Sequence, residues 1–321
     1  MNRKKRNICI WVTGIVILIL AMWADLMNGG MASGQVLWHL RTPRVLTALL
    51  AGAALALAGA QMQSVLRNPL ADPHIMGVSA GASLGAALAT MFTGRSATAS
   101  PQFIQGLSVA SAAFAGAILS AVIILVASRR FRKASTLLIF GVMLGFIVSA
   151  VVTILQFTSS AESLKIFYSW SAGSFSNAGW TDICILASAL VLGLCIGLAN
   201  TKGLDIILFG DEFASMAGAP VHKIRLSAII SCSLITAAVT AFCGPLGFVG
   251  IVAPHIARGI FRTSTHRTII PASLLAGALT GLISDLISQA SPAPLPIAST
   301  MAIVGIPIII YILAKGGSHG E

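Results

Sequence analysis

The sequence predicts an all-α membrane protein: ten transmembrane helices in one compact bundle, with both termini cytoplasmic. Three observations lead there. Of 321 residues, 56% are hydrophobic and 9% charged, whereas a soluble domain carries about 25% charged residues. The apolar residues gather into runs near the roughly 20 residues a helix needs to cross a bilayer core. Between the runs the basic residues form short clusters, the pattern of topology signals rather than of a nucleic-acid face.

The predicted spans are 8–27, 44–63, 73–93, 106–127, 136–157, 181–200, 226–243, 246–261, 270–290 and 298–314. The first follows Arg3, Lys4, Lys5 and Arg6. It also fits a signal peptide, with Met31-Ala32-Ser33-Gly34 as cleavage residues. A retained span is preferred because alternation from an inner N-terminus puts 16 of the 20 Lys and Arg residues on the cytoplasmic side. These include Arg67, Arg129, Arg130, Arg132, Lys133, Lys202, Lys223, Arg225, Arg258, Arg262, Arg267 and Lys315. Arg41, Arg44, Arg95 and Lys165 remain outside, as the positive-inside rule requires of an even span count.

Spans two and three are rich in Gly and Ala, as in 52–59 and 77–85. Small residues let helix backbones approach closely in lipid. Pro69, Pro73, Pro245, Pro254 and Pro307 fall in or beside spans, and broken helices at membrane depth line cavities or lie buried in protein. Residues 1–321 read as a single polytopic domain.

Several chemistries are not expected. No GK dipeptide occurs, so no P-loop is present. No HExxH occurs, and His39, His74, His222, His255, His266 and His319 stand at no shared helical ligand spacing. Neither a metal site, a cofactor nor a catalytic nucleophile is expected. Cys9, Cys184, Cys195, Cys232 and Cys243 are read as small buried hydrophobes. Asp285 in span nine and Asp25 at the end of span one are the membrane acids, functional candidates by default. Their places near span ends favour structural roles. An ion-coupled secondary carrier would need one of them, and remains the alternative.

Four segments are too polar or too broken for a lipid-facing helix: 39–44, 67–81, 210–218 and 244–258. Together they closely resemble the FecCD family of ABC-transporter permeases, over roughly residues 41–313. That resemblance implies a type II importer permease with no catalysis of its own. It also implies a homodimer around a central pathway, two cytoplasmic ABC ATPases that hydrolyse ATP, and an extracytoplasmic substrate-binding protein. The cargo would be an iron chelate, iron-siderophore or haem, with vitamin B12 as the alternative.

The resemblance carries roles to particular residues. The segment Gly210, Asp211, Glu212, Phe213, Ala214, Ser215, Met216 and Gly218 corresponds to the ATPase coupling helix. Its acids suit a helix N-terminus and its glycine a helix end. Arg41 and Arg44, three apart on one face if helical, correspond to arginines that meet acids on the binding protein. Asn68, Pro69, Leu70 and Ser135 correspond to the cytoplasmic gate, and the helix around 141–156 to a pathway wall. One departure stands out. The family commonly has an arginine at the outer end of span nine and Glu-Leu-Pro before span ten. Here Gln289 and Pro294-Leu295-Pro296 take those places, so one docking contact is expected to be lost or supplied elsewhere.

Overall fold

Every regular element among the described residues of the computed structural model is a helix. It describes residues 3–28, 30, 33–93, 102–131, 133–291 and 293–317. Met31, Ala32, Arg95, Arg132 and His319 lie outside them. In chain order the helices are α1 (Arg3–Met27), α2 (Gly34–Val36), α3 (Thr42–Leu66), α4 (Val78–Thr93), α5 (Gln102–Arg130), α6 (Ala134–Phe157) and α7 (Ala161–Ser171). They continue as α8 (Trp180–Ala199), α9 (Thr201–Ile207), α10 (Asp211–Met216), α11 (Val221–Cys243), α12 (Val249–Phe261), α13 (His266–Ser288) and α14 (Ile297–Gly317).

Seven helical stretches are long and apolar enough to cross a membrane: α1, the continuous rod Gly34–Leu66, the Val109–Arg130 part of α5, α6, α8, α11 and α13. Three shorter apolar helices, Val78–Met91, Val249–Phe261 and Ile297–Tyr311, coincide with the other three predicted spans. At 13 residues, α12 is about 20 Å long, less than the roughly 30 Å of a bilayer core. The amphipathic α7 and the short α9 were not anticipated as helices. Ser160 starts α7 by accepting the Ser163 N–H at 3.3 Å, an ordinary N-cap.

The bundle is built around α3. From Ala51 to Val65 each of its residues is buried, and α13, α11, α12 and α8 pack around it. Two crossings are backbone against backbone. A Cβ on Gly52 would collide with the Gly277 carbonyl, and one on Gly59 with that of Gly250. The α4–α5 crossing is of the same kind, with Gly81 and Gly116 each closed off by the other's carbonyl. Such contacts maximise dispersion where lipid offers no hydrophobic drive. Buried amide and hydroxyl groups add polar bonds: Gln61 donates to Ser231 at 2.9 Å, and Ser231 to the Gly193 carbonyl at 3.2 Å.

Pro254 does not break α12, contrary to the sequence expectation. A proline cannot donate to the carbonyl four residues back, here Gly250. Gln63 of α3 donates to that carbonyl instead, at 3.1 Å. Pro307 likewise lies within α14. The α11–α12 break extends to Phe248, whose φ of 71° and ψ of −37° accompany a 2.9 Å bond from the Val249 N–H to the Gly247 carbonyl. That is a γ-turn of the rare, strained hand.

Large apolar side chains face outward on α1 (Ile8, Ile15, Ile19), α5 (Leu119, Val126) and α6 (Phe146, Ile147). The cysteines divide: Cys232 and Cys243 are buried, while Cys9, Cys184 and Cys195 are exposed rather than buried as expected.

Replacing Gly277 with Val should cost at least about 1–3 kcal/mol through overpacking. Thermal unfolding in detergent would register it. Gly145→Ala, with nothing within 4 Å of the added Cβ, should leave the transition in place.

Candidate functional site

The two ends of α3 organise two polar assemblies, about 35 Å apart along a 25-residue helix rising 1.5 Å per residue. At the first end a π-helical turn, Leu37–Arg41, precedes α3. Such turns take up an extra residue and redirect side chains. Arg41 reaches back to the end of α1, donating from Nη1 to the Leu26 and Gly30 carbonyls at 3.0 and 2.9 Å. Arg44 turns to α13. Its Nε donates to Asp285 Oδ1 and Oδ2 at 3.0 and 2.9 Å, and its Nη2 to Oδ1 at 2.8 Å. Gln289, one turn further along, donates from Nε2 to Asp285 at 2.9 Å and to Asp25 of α1 at 2.7 Å. Both carboxylates are buried, Asp285 completely.

The predicted docking arginines thus have internal partners that the sequence did not reveal. Gln289 fills the place of an expected arginine by bridging two acids. Arg44 also borders an open cavity of about 230 Å³ lined by Ser169, Ser174, Asn177, Pro294 and Leu295. Trp38 and Trp180 stack at this end with ring centroids 4.7 Å apart, and Trp23 is exposed on α1. Amphipathic rings of this kind collect at membrane interfaces.

At the other end Arg67 stops α3 in a left-handed conformation, φ 49°. The Asn68 carboxamide accepts the Leu70 N–H at 2.9 Å, satisfying backbone freed at the break. Asn68, Pro69 and Leu70 are exposed, as is Ser135 in the first turn of α6. Among the described residues no hydrogen bond joins Ser135 to Asn68. The predicted segment 210–218 does form a short helix, α10, entered through Gly210 at φ 110° and left through Gly218 at φ 77°. Ala214 is buried against Val65, Leu204, Ile207, Ile224 and Ala228. Asp211 pairs with the buried Arg225 of α11 at 2.7 Å. The outward side carries Phe213 and Met216, 51% and 81% exposed, together with Phe209, 74% exposed and stacked on Phe213. Phe209 precedes the predicted segment and escaped notice; its i, i+4 spacing to Phe213 was the available signal.

On α6, Ser149, Thr153 and Gln156 face a cavity of about 240 Å³ shared with Ser83 of α4 and Phe167 of α7. This neutral polar stripe at helical spacing also went unread. Within the segment 67–81, Gly77-Val78-Ser79-Ala80-Gly81 has nucleophile-elbow spacing, contrary to the expectation that no such motif occurs. The structure gives it another use: Ser79 is buried, follows a 3₁₀ turn rather than a strand, and bonds His74 and, at 3.2 Å, Thr240.

Comparison with known proteins agrees with this architecture. Residues 8–315 match the FecCD transport family. The vitamin B12 import system permease BtuC of Klebsiella pneumoniae is 32% identical over 99% of this chain and 97% of its own. The ABC transporter permease YvrB of Bacillus subtilis is 33% identical over 89% of this chain and 81% of its own. A solved ABC transporter of metal-chelate type, in an inward-facing conformation, superposes with a TM-score of 0.86 at 27% identity, covering 95% of this chain and 99% of that one. Matched over residues 8–315, the chain belongs to the FecCD transport family. It is a multi-pass permease subunit of an ABC importer in the cytoplasmic membrane.

Proposed function

We propose that two copies of this chain form the membrane pathway of an importer for a bulky metal chelate, driven by two separate ABC ATPases and loaded by an extracytoplasmic binding protein. The observation that carries the reading is the ridge of Phe209, Phe213 and Met216. It exposes large apolar side chains on a short helix outside any membrane-length segment. An apolar ridge flanked by Asp211 and Glu212 suits a groove on a partner, the helix-in-groove mode. In this reading α10 is the coupling helix and its end of the bundle is cytoplasmic, as are both termini. The shorter α4, α12 and α14 complete ten spans, and Asn68, Pro69, Leu70 and Ser135 border the inner gate.

The pathway wall is the α6 stripe of Ser149, Thr153 and Gln156, polar but without charge. Such a lining lets a hydrated complex pass without holding it. Selection of the cargo then falls to the binding protein. An iron-siderophore or haem is the first expectation. The BtuC relatives favour vitamin B12 as a second reading, and both are large metal complexes. Uptake by vesicles carrying the complete transporter, offered cyanocobalamin, ferric siderophore and haem in turn, identifies the cargo. Uptake that persists without the ATPase would overturn the reading in favour of an ion-coupled carrier.

Two expectations follow for the partner surfaces. Phe213→Ala with Met216→Ala should weaken ATPase binding at least about tenfold, the loss of a modest hot spot. Pull-down from detergent with titrated ATPase reads this out. At the opposite end, Arg41→Glu should weaken binding-protein docking at low salt and much less at high salt. Arg44→Glu should instead lower thermal stability by about 3–5 kcal/mol, since it strands the buried Asp285.

A further inference from the structure

Asp205, His266 and Ser64 make a continuous chain across three helices near the coupling end. The Asp205 carboxylate of α9 accepts the His266 backbone N–H at 2.8 Å and engages its ring Nδ1 at 2.6 Å. The ring's Nε2 meets Ser64 Oγ of α3. In an open cleft, this order of Ser, His and Asp would suggest a hydrolase. Here Ser64 and His266 are each 1% exposed, and the Ser64 hydroxyl also lies 3.0 Å from the Ala60 carbonyl of its own helix. No carbonyl substrate could reach that oxygen, so the chain of bonds serves structure and motion rather than acyl transfer.

Its position is informative. Asp205 lies six residues before Asp211, the start of α10, and α9 and α10 share one apolar cluster through Leu204, Ile207 and Ala214. They therefore move as one piece. The same cluster joins that piece to Ile224 and Ala228 of α11 and to Val65 of α3, and Asp211–Arg225 pins it further to α11. To α13 and α3 it offers directional bonds: Asp205 caps the first residue of α13, and the ring passes the connection to Ser64. Ser64 stands one turn before the Asn68-Pro69 break. Hydrogen bonds to charged groups are the strong kind, and buried ones resist replacement by water.

We propose that Asp205, His266 and Ser64 are positioning residues forming a strap that carries displacement of α9–α10 to the inner ends of α13 and α3. This rests on the reading of α10 as the coupling helix. The strap makes α10 and α13 shift together when the ATPase moves. Without it, only non-directional apolar contact with Val65 would link α9–α10 to α3, and α13 would lose its bonds to the piece.

The test uses the complete transporter in nanodiscs, in a cysteine-replaced background, with spin labels at the exposed Ser215 of α10 and Arg267 of α13. In the otherwise native protein the distance between labels should stay narrow and unchanged between nucleotide-free and ATP–vanadate states. Asp205→Ala should shift and widen that distribution on vanadate trapping. Asp205→Asn, which still accepts the backbone N–H of His266, should restore most of the native behaviour. Ser64→Ala retains the α9–α13 bonds, so the same pair should stay narrow. A second pair, Ser215 with a label at exposed Arg67, should widen in Ser64→Ala. A merely structural role would lower the unfolding temperature of these variants without changing either distribution, and that result would overturn the strap. A native distance that already changes with nucleotide would overturn it as well. Failure of the ATPase to co-purify with the native chain, or to protect α10 from proteolysis, would instead overturn the coupling-helix reading, and the strap with it.

Discussion

The fold depends on one constraint: α3 must touch the backbones of its neighbours. Inside a bilayer, apolar side chains gain nothing by leaving lipid for protein, so helices adhere through close packing and polar bonds. The carbonyl of Gly277 against Gly52, and that of Gly250 against Gly59, leave no room for a single methyl. These approaches fix where α13 and α12 lie, and so where Asp285, His266 and Arg258 fall. Both polar ends of the molecule inherit their geometry from this glycine-lined rod. The same closeness lets Gln63 take over the Gly250 carbonyl that Pro254 cannot use, keeping α12 continuous where a more distant neighbour would leave an unsatisfied acceptor.

The two ends solve different problems with similar residues. Near Arg44, the guanidinium pairs with the buried carboxylate of Asp285, and the neutral carboxamide of Gln289 links that carboxylate to the second one, Asp25. That arrangement adds polar bonds to the apolar packing of α1, where Trp11 lies against Phe261 and Leu18, Met22 and Leu26 pack on the core. Near Arg67 the bonds run instead from short surface helices to the ends of long ones. Exposed Phe209 and Phe213 accompany them on a short helical segment, whereas exposed Trp23 and Trp38 at the other end sit on membrane-length helices. A polar assembly facing inward is a fastener. One that backs an exposed apolar ridge presents a surface suited to a partner's groove.

Long apolar segments were the most legible part of the sequence, because a bilayer imposes length and composition together. α1, α6, α8, α11 and α13 fall within a few residues of expectation. The short helices were less legible. α7 and α9 have too few residues for their period to stand out beside a span, whereas α12, expected as span 246–261, differs only in running unbroken through Pro254. The motif at 210–218 brackets α10 but leaves out Phe209, one residue before the segment. Bonds between remote residues were beyond reach. Asp25 and Asp285 were noticed as acids, yet Arg44 meets Asp285 across 241 positions, and neither periodicity nor spacing encodes such a meeting. His266 looked solitary in sequence for the same reason.

That pairing limits what Arg44 can do for a partner. Its guanidinium is 16% exposed and is held by three hydrogen bonds to a carboxylate with no exposure. An acid arriving from a binding protein would gain about 0–1 kcal/mol from an exposed pair. Drawing Arg44 away would strand Asp285 at a cost of about 3–5 kcal/mol. The exchange is uphill, so Arg44 stays paired with Asp285 at the rim of the cavity lined by Ser174 and Pro294. Arg41 is differently placed. It holds two backbone carbonyls through one nitrogen, Nη1, and strands no buried charge if it turns outward. Of the two arginines three residues apart, one locks the bundle and only the other can be lent to a visitor.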